Sequence, residues 1–145
     1  MRRMIALSAL AALALPVLGL AGHAQAETWT GYSAVSPTGI QWSFDADYSY
    51  VDSQSKRVVV LNAIGKVGAT PRMGPSAPGA SDGVGSVLAL DCKAKNLILI
   101  SGYSPKKPLD INNEWRAVSP KKVETEDDKA LLAAVCPMAA KLPVK

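Results

Sequence analysis

The chain has 145 residues, 48% of them hydrophobic and 19% charged, with a formal net charge of +4. That length suits one small domain, and the apolar share excludes an intrinsically disordered chain. The positive balance does not mark a nucleic-acid binder: Arg2 and Arg3 supply half of it, and no basic stripe or recognised binding motif follows.

Residues 1–26 read as a cleaved secretory signal peptide. Arg2 and Arg3 form its basic region, residues 5–21 its apolar core, and Ala24-Gln25-Ala26 a small-residue cleavage site. Pro16 and Gly19 interrupt the apolar core, which is short for a membrane span. The expected destination is the periplasm, the cell surface or the medium. No cysteine near the cleavage site offers lipid attachment. The folded domain is then residues 27–145, and losing Arg2 and Arg3 lowers the net charge from +4 to +2.

Residues 28–35 read as a first strand, with Trp29 and Tyr32 as its large side chains. Ser36-Pro37-Thr38-Gly39 has the composition of a turn. From Ile40 to Tyr50 the chain alternates. Ile40, Trp42, Phe44, Ala46, Tyr48 and Tyr50 share one parity, and Gln41, Ser43, Asp45, Asp47 and Ser49 the other. Period two predicts a half-buried strand or a tight strand pair, with the aromatic residues in the core and the aspartates on a solvated face. Asp52-Ser53-Gln54-Ser55 is a turn, and residues 57–64 are a β-branched, buried strand. Residues 68–85 are crowded with Gly, Pro, Ser and Ala and carry no period, which predicts a long flexible loop.

Residues 87–92 form the next strand, with Leu88, Leu90 and Cys92 on one face. Lys93 to Asn96 suits a hairpin turn, and residues 97–103 return as a strand. Residues 104–108 are a proline-bounded turn carrying Lys106 and Lys107, and residues 114–118, with Trp115, read as the last strand. Ser119-Pro120-Lys121-Lys122 leads out of it. Thr125 suits an N-cap, and the acidic residues Glu126, Asp127 and Asp128 suit the positive end of a helix dipole. Leu131, Leu132, Val135 and Cys136 recur at helical spacing, Pro137 ends the helix, and residues 138–145 read as a loose tail.

Cys92 and Cys136 are the only cysteines, and in an exported chain they pair. The expected fold is α+β: a single antiparallel sheet of about six strands, with one C-terminal helix packed on it and tethered by this disulfide. The only histidine, His23, lies in the signal peptide. The domain therefore has no histidine base and no free thiol, which excludes Ser-His-Asp and Cys-His catalysis and zinc sites built on Cys and His. No cofactor is expected, and the reading is non-enzymatic.

Three further patterns go together. Tyr50-x-Asp52-x-x-Ser55 precedes an apolar strand. Asp91-Cys92 is followed by a basic stretch and an apolar strand ending in Tyr103-Ser104. Trp115-Arg116-Ala117-Val118-Ser119-Pro120 precedes the short helix that ends at Val135-Cys136. In this order the chain resembles the surface-adhesin protein E family of Gram-negative bacteria. The resemblance implies a protein-binding module whose partners are host extracellular-matrix or serum proteins and which can form a homodimer. The competing expectation is a periplasmic structural or envelope-accessory domain with no host ligand. Lys106, Lys107, Lys121 and Lys122 flank the Trp115 segment and are the candidate partner-binding residues. If both turns lie at one end of the sheet, they make a basic patch that would steer an acidic partner.

Overall fold

A computed structural model of the chain describes residues 28–67, 83–105 and 107–145. The expected signal peptide, most of the 68–85 loop and Lys106 lie outside the described residues. The sheet strands are β1 (Trp29–Gly31), β2 (Ile40–Asp45), β3 (Tyr50–Val51), β4 (Val58–Lys66), β5 (Gly85–Asp91), β6 (Asn96–Tyr103) and β7 (Lys121–Lys122), followed by helix α1 (Glu126–Val135). All pairs are antiparallel, in the order β1-β2-β4-β5-β6-β7, with β3 also pairing β4. The α+β class, the single antiparallel sheet and the single α-helix are as the sequence predicts.

The sheet separates two cores. On the helix side Phe44, Val58, Val60, Leu88, Leu90 and Leu97 meet Leu131, Leu132 and Val135. On the opposite side Val59, Leu61, Val87, Ala89 and Ile98 meet Trp115. β4 supplies both faces by strict alternation, which is why its sequence is a nearly unbroken β-branched run. α1 begins as its sequence dictates: the Thr125 hydroxyl accepts from Asp128 N at 3.1 Å.

Several local expectations are corrected. The alternation of residues 40–50 does not continue as one strand. Phe44 pairs with Asn62 and Tyr50 with Val59, so six steps on one side face only three on the other. The odd excess is looped out around Ala46 to Tyr48 and flips the parity. Phe44 therefore enters the helix-side core, whereas Tyr48 and Tyr50 enter the opposite one. Asp45 is buried, not solvated. Its Oδ1 accepts from Thr28 N and Asp47 N, which fixes the turn, and Ser49 Oγ donates to its carbonyl.

The Trp115 segment is a 3₁₀ helix, Asn113–Ala117, not a strand. Asn112 Oδ1 accepts from Glu114 N at 2.9 Å and starts the turn. One turn is enough to drop Trp115 onto the sheet at 3% exposure. Lys121 and Lys122 do not form an exit turn; as β7 they pair with Leu97 and Asn96. The tail is not loose. Cys136–Lys141 continues as a 3₁₀ helix, and the last residues return beside β3: Val51 N donates to Pro143 O at 2.8 Å and Lys145 N to Val51 O at 3.0 Å. The first strand is also shorter than expected, because the Ser33 hydroxyl takes the Trp42 N–H at 2.9 Å in place of a backbone carbonyl.

Gly85 opens β5 where no side chain fits: a Cβ there would meet Asn62 O at 1.8 Å. Gly39 closes the first hairpin at φ +78, a conformation that favours glycine.

Candidate protein-binding surface

The predicted Cys92–Cys136 pair is bonded, with Cα atoms 5.8 Å apart and 44 residues between them in sequence. It joins the turn after β5 to the end of α1. Closing a loop of that length stabilises the fold by about 4 kcal/mol through the unfolded chain's lost entropy.

A second fastening lies on the opposite side of the sheet. Asp52 is 2% exposed. Its Oδ2 accepts from Ser55 N and Ser55 Oγ, both at 2.7 Å, and from Arg116 Nε at 3.0 Å, while Arg116 Nη2 pairs with Oδ1. Arg116 also stacks over Trp115, 4.7 Å from the ring centroid. Two of the sequence patterns, Tyr50-x-Asp52-x-x-Ser55 and Trp115-Arg116, thus converge on one ion pair. The Arg116 hydrogen bonds, helped by those from Ser55, hold the Asp52 carboxyl well below the usual carboxylate range. A carboxylate so satisfied is a poor base, so this constellation fastens the 3₁₀ helix to the β3–β4 turn. Burial pushes the Tyr48 hydroxyl up to about 12 and raises Tyr32 and Tyr50 as well, so these phenols stay protonated near neutral pH.

The described candidate lysines, Lys107, Lys121 and Lys122, do not form one patch. Lys107 follows the end of β6, where its N–H donates to Ser104 O at 3.1 Å. Lys121 and Lys122 lie beside the start of β6. The span from Leu97 to Tyr103 along a strand is about 20 Å. Lys106 is outside the described residues.

Lys121 and Lys122 have other basic neighbours. The β5–β6 turn carries Lys93 and Lys95, and Val123 N donates to Lys95 O at 3.1 Å, holding the end of β7 against that turn. Lys56, in the β3–β4 turn, lines the same shallow pocket as Lys93. All five are exposed. The nearby acids counter them incompletely: Asp91 spends its Oδ1 on the Lys93 and Ala94 N–H groups, Asp52 is paired with Arg116, and Glu124 is exposed beyond β7. Beside this cluster, an open cavity of about 420 Å³ runs between Cys92, Val123, Leu132 and Cys136, with Lys95 and Lys129 at its edge. Sequence reasoning missed Lys93 and Lys95 because only the pairing of β7 with β6 brings them to Lys121 and Lys122, and it missed Lys56 because only the sheet sets it beside Lys93. Positive φ at Lys56 and Lys95 marks both as turn residues, a conformation the sequence does not announce.

No group of three or more His, Cys, Asp or Glu side chains among the described residues is arranged to hold a metal ion. No helix among them is long and apolar enough to cross a membrane. Compared with protein-family models, curated proteins and solved structures, the chain finds no match.

Proposed function

We propose that this chain is a non-enzymatic, exported protein-binding module of the cell envelope that engages acidic surfaces of a partner protein. By its resemblance to the surface adhesins, that partner would be an extracellular-matrix or serum protein of a host. The observation that supports this most is the gathering of Lys93, Lys95, Lys121 and Lys122 at one end of the sheet, on a hairpin turn and an edge strand held together by backbone hydrogen bonds. A cationic rim beside an apolar cavity speeds encounter with acidic partners and orients them. The disulfide accords with an oxidising compartment outside the cytosol.

The test is binding of purified protein to immobilised matrix and serum proteins, with the Lys93→Glu, Lys95→Glu, Lys121→Glu, Lys122→Glu variant beside it. The expected result is a folded variant that binds at least about tenfold more weakly, and native binding that weakens between about 50 mM and about 300 mM salt. Unchanged affinity in the folded variant overturns this surface. Protease shaving of intact cells tests location: cleavage agrees with a surface module, whereas protection until the outer membrane is opened assigns the periplasmic structural role instead.

A further inference from the structure

β6 is eight residues long, but β7 pairs with only its first two, Asn96 and Leu97. The reason is in the sequence. Moving back from Lys121, the next residue is Pro120, which has no N–H to donate. The chain then turns away into the 3₁₀ helix. Among the described residues, no strand pairs with the outer side of β6 from Ile98 onward.

An unpaired edge of this kind is usually blunted by charge, proline or cover. Ile98-Leu99-Ile100-Ser101-Gly102 carries neither charge nor proline, and its one irregularity is a single-residue register shift against β5 at Ile100. Leu99 is 57% exposed and Val118, across from it, is 50% exposed. Between them an open groove of about 360 Å³ runs along the edge, walled by Leu99 and Ile100 on one side and by Trp115 and Ala117 on the other. Its end at the start of β6 is basic, with Lys121 and Lys122, whereas beyond the end of β6 Lys107 stands beside Asp110. Glu114 lies inside the groove and disfavours an anion at its middle.

We propose that the β6 edge is a strand-addition site for an extended segment of a partner protein, with an uncharged, β-prone centre and an acidic residue at the flank that meets Lys121 and Lys122. This rests on the protein-binding reading and gives it a mode. β7 is the precedent on the same edge: it already pairs antiparallel with β6, and the incoming strand takes up the ladder at Leu99, beyond Pro120, which stands opposite Ile98. Main-chain hydrogen bonds would supply affinity and the flanking lysines the register. An anionic centre would be rejected by Glu114, and a charge of either sign by the apolar walls.

The probe is the capped peptide DVTVTVD, titrated into the full domain with amide hydrogen exchange as the readout. The expected result is saturable binding with slowed exchange in residues 98–102. A second peptide, N-methylated at alternate residues along its pairing edge, should lose binding at least about tenfold, since it keeps every side chain but cannot donate to β6. Leu99→Lys, at an exposed position the fold does not need, should weaken the unmethylated peptide to a similar degree. Failure of DVTVTVD to bind overturns the proposal. So does equal binding by the methylated peptide, and in that case the lysine rim stands as the surface without strand pairing. Concentration-dependent dimerisation that protects residues 98–102 and excludes the peptide also overturns it, by assigning the edge to a second copy of the chain.

Discussion

Asp52 shows how much one side chain can organise. It sits in the β3–β4 turn, yet its carboxylate reaches the 3₁₀ helix 64 residues later through Arg116. Its folded pKa is depressed, so the unfolded chain takes up the proton first as pH falls. The stability it contributes is full above the ordinary aspartate pKa and is lost as pH falls below it toward the folded value. Thermal denaturation of the native protein should therefore show a melting temperature that falls between about pH 5 and about pH 2, and Asp52→Asn should flatten that slope. At neutral pH Asp52→Ala should cost about 2 kcal/mol, the scale of lost hydrogen bonds to a charged group; unchanged denaturant midpoints would show the pair to be ornamental. The sequence places Asp52 in a turn, which is correct, and pairs it with nothing, because no local pattern encodes a contact across 64 residues. Asp45 fails for the opposite reason. Its parity puts it with the polar residues, but a looped-out turn breaks the parity and uses the carboxylate to bind backbone N–H groups.

Elements with a strong period were legible; those held by tertiary contacts were not. β4, β5, β6 and α1 lie close to where apolar spacing and Thr125 place them, since burial on one or both faces leaves its imprint on every second or every third to fourth residue. The 3₁₀ helix Asn113–Ala117 is too short for any period to show, and its one informative residue, Trp115, suits strand or helix equally. What decides it is the Asn112 cap and the hole that Trp115 fills among Val59, Leu61, Val87, Ala89 and Ile98. Replacing it tests that claim. Trp115→Ala should destabilise the domain by about 3–5 kcal/mol, as expected for deleting a buried aromatic side chain, and should free Arg116 from its stacking. Urea denaturation measures the first effect. A loss under about 1 kcal/mol would mean that the segment covers the sheet without anchoring to it. The lysine rim was half legible for the same reason: Lys121 and Lys122 stand out in the sequence, while their true neighbours are set by the pairing of β6 with β7.

At the scale of the whole molecule, one sheet carries a separate core on each face, and each core has its own fastening. The helix-side core is closed by Cys92–Cys136, the other by Asp52 with Arg116 and Trp115. A domain this small buries a modest share of its apolar surface, so such staples matter more than they would in a larger protein. The two do not act alike. The ion pair acts on the folded state and is sensitive to pH, whereas the disulfide acts mainly by restricting the unfolded chain and is sensitive to reductant. α1 packs through Leu131, Leu132 and Val135, and beyond it the helix end is held by Cys136, by Met138, Ala139 and Leu142 against the same core, and by the tail bonded beside β3. The Cys92→Ala, Cys136→Ala variant should therefore lose about 2–5 kcal/mol of stability, and the loss should not be spread evenly. Amides of residues 129–135 should exchange much faster, while those of β4 and β5, buried between both cores, keep most of their protection relative to the new global stability. Reduction of the native protein should reproduce the pattern. Uniform acceleration across helix and sheet would instead mean that the domain opens only as a whole, with the disulfide acting on no part of it in particular.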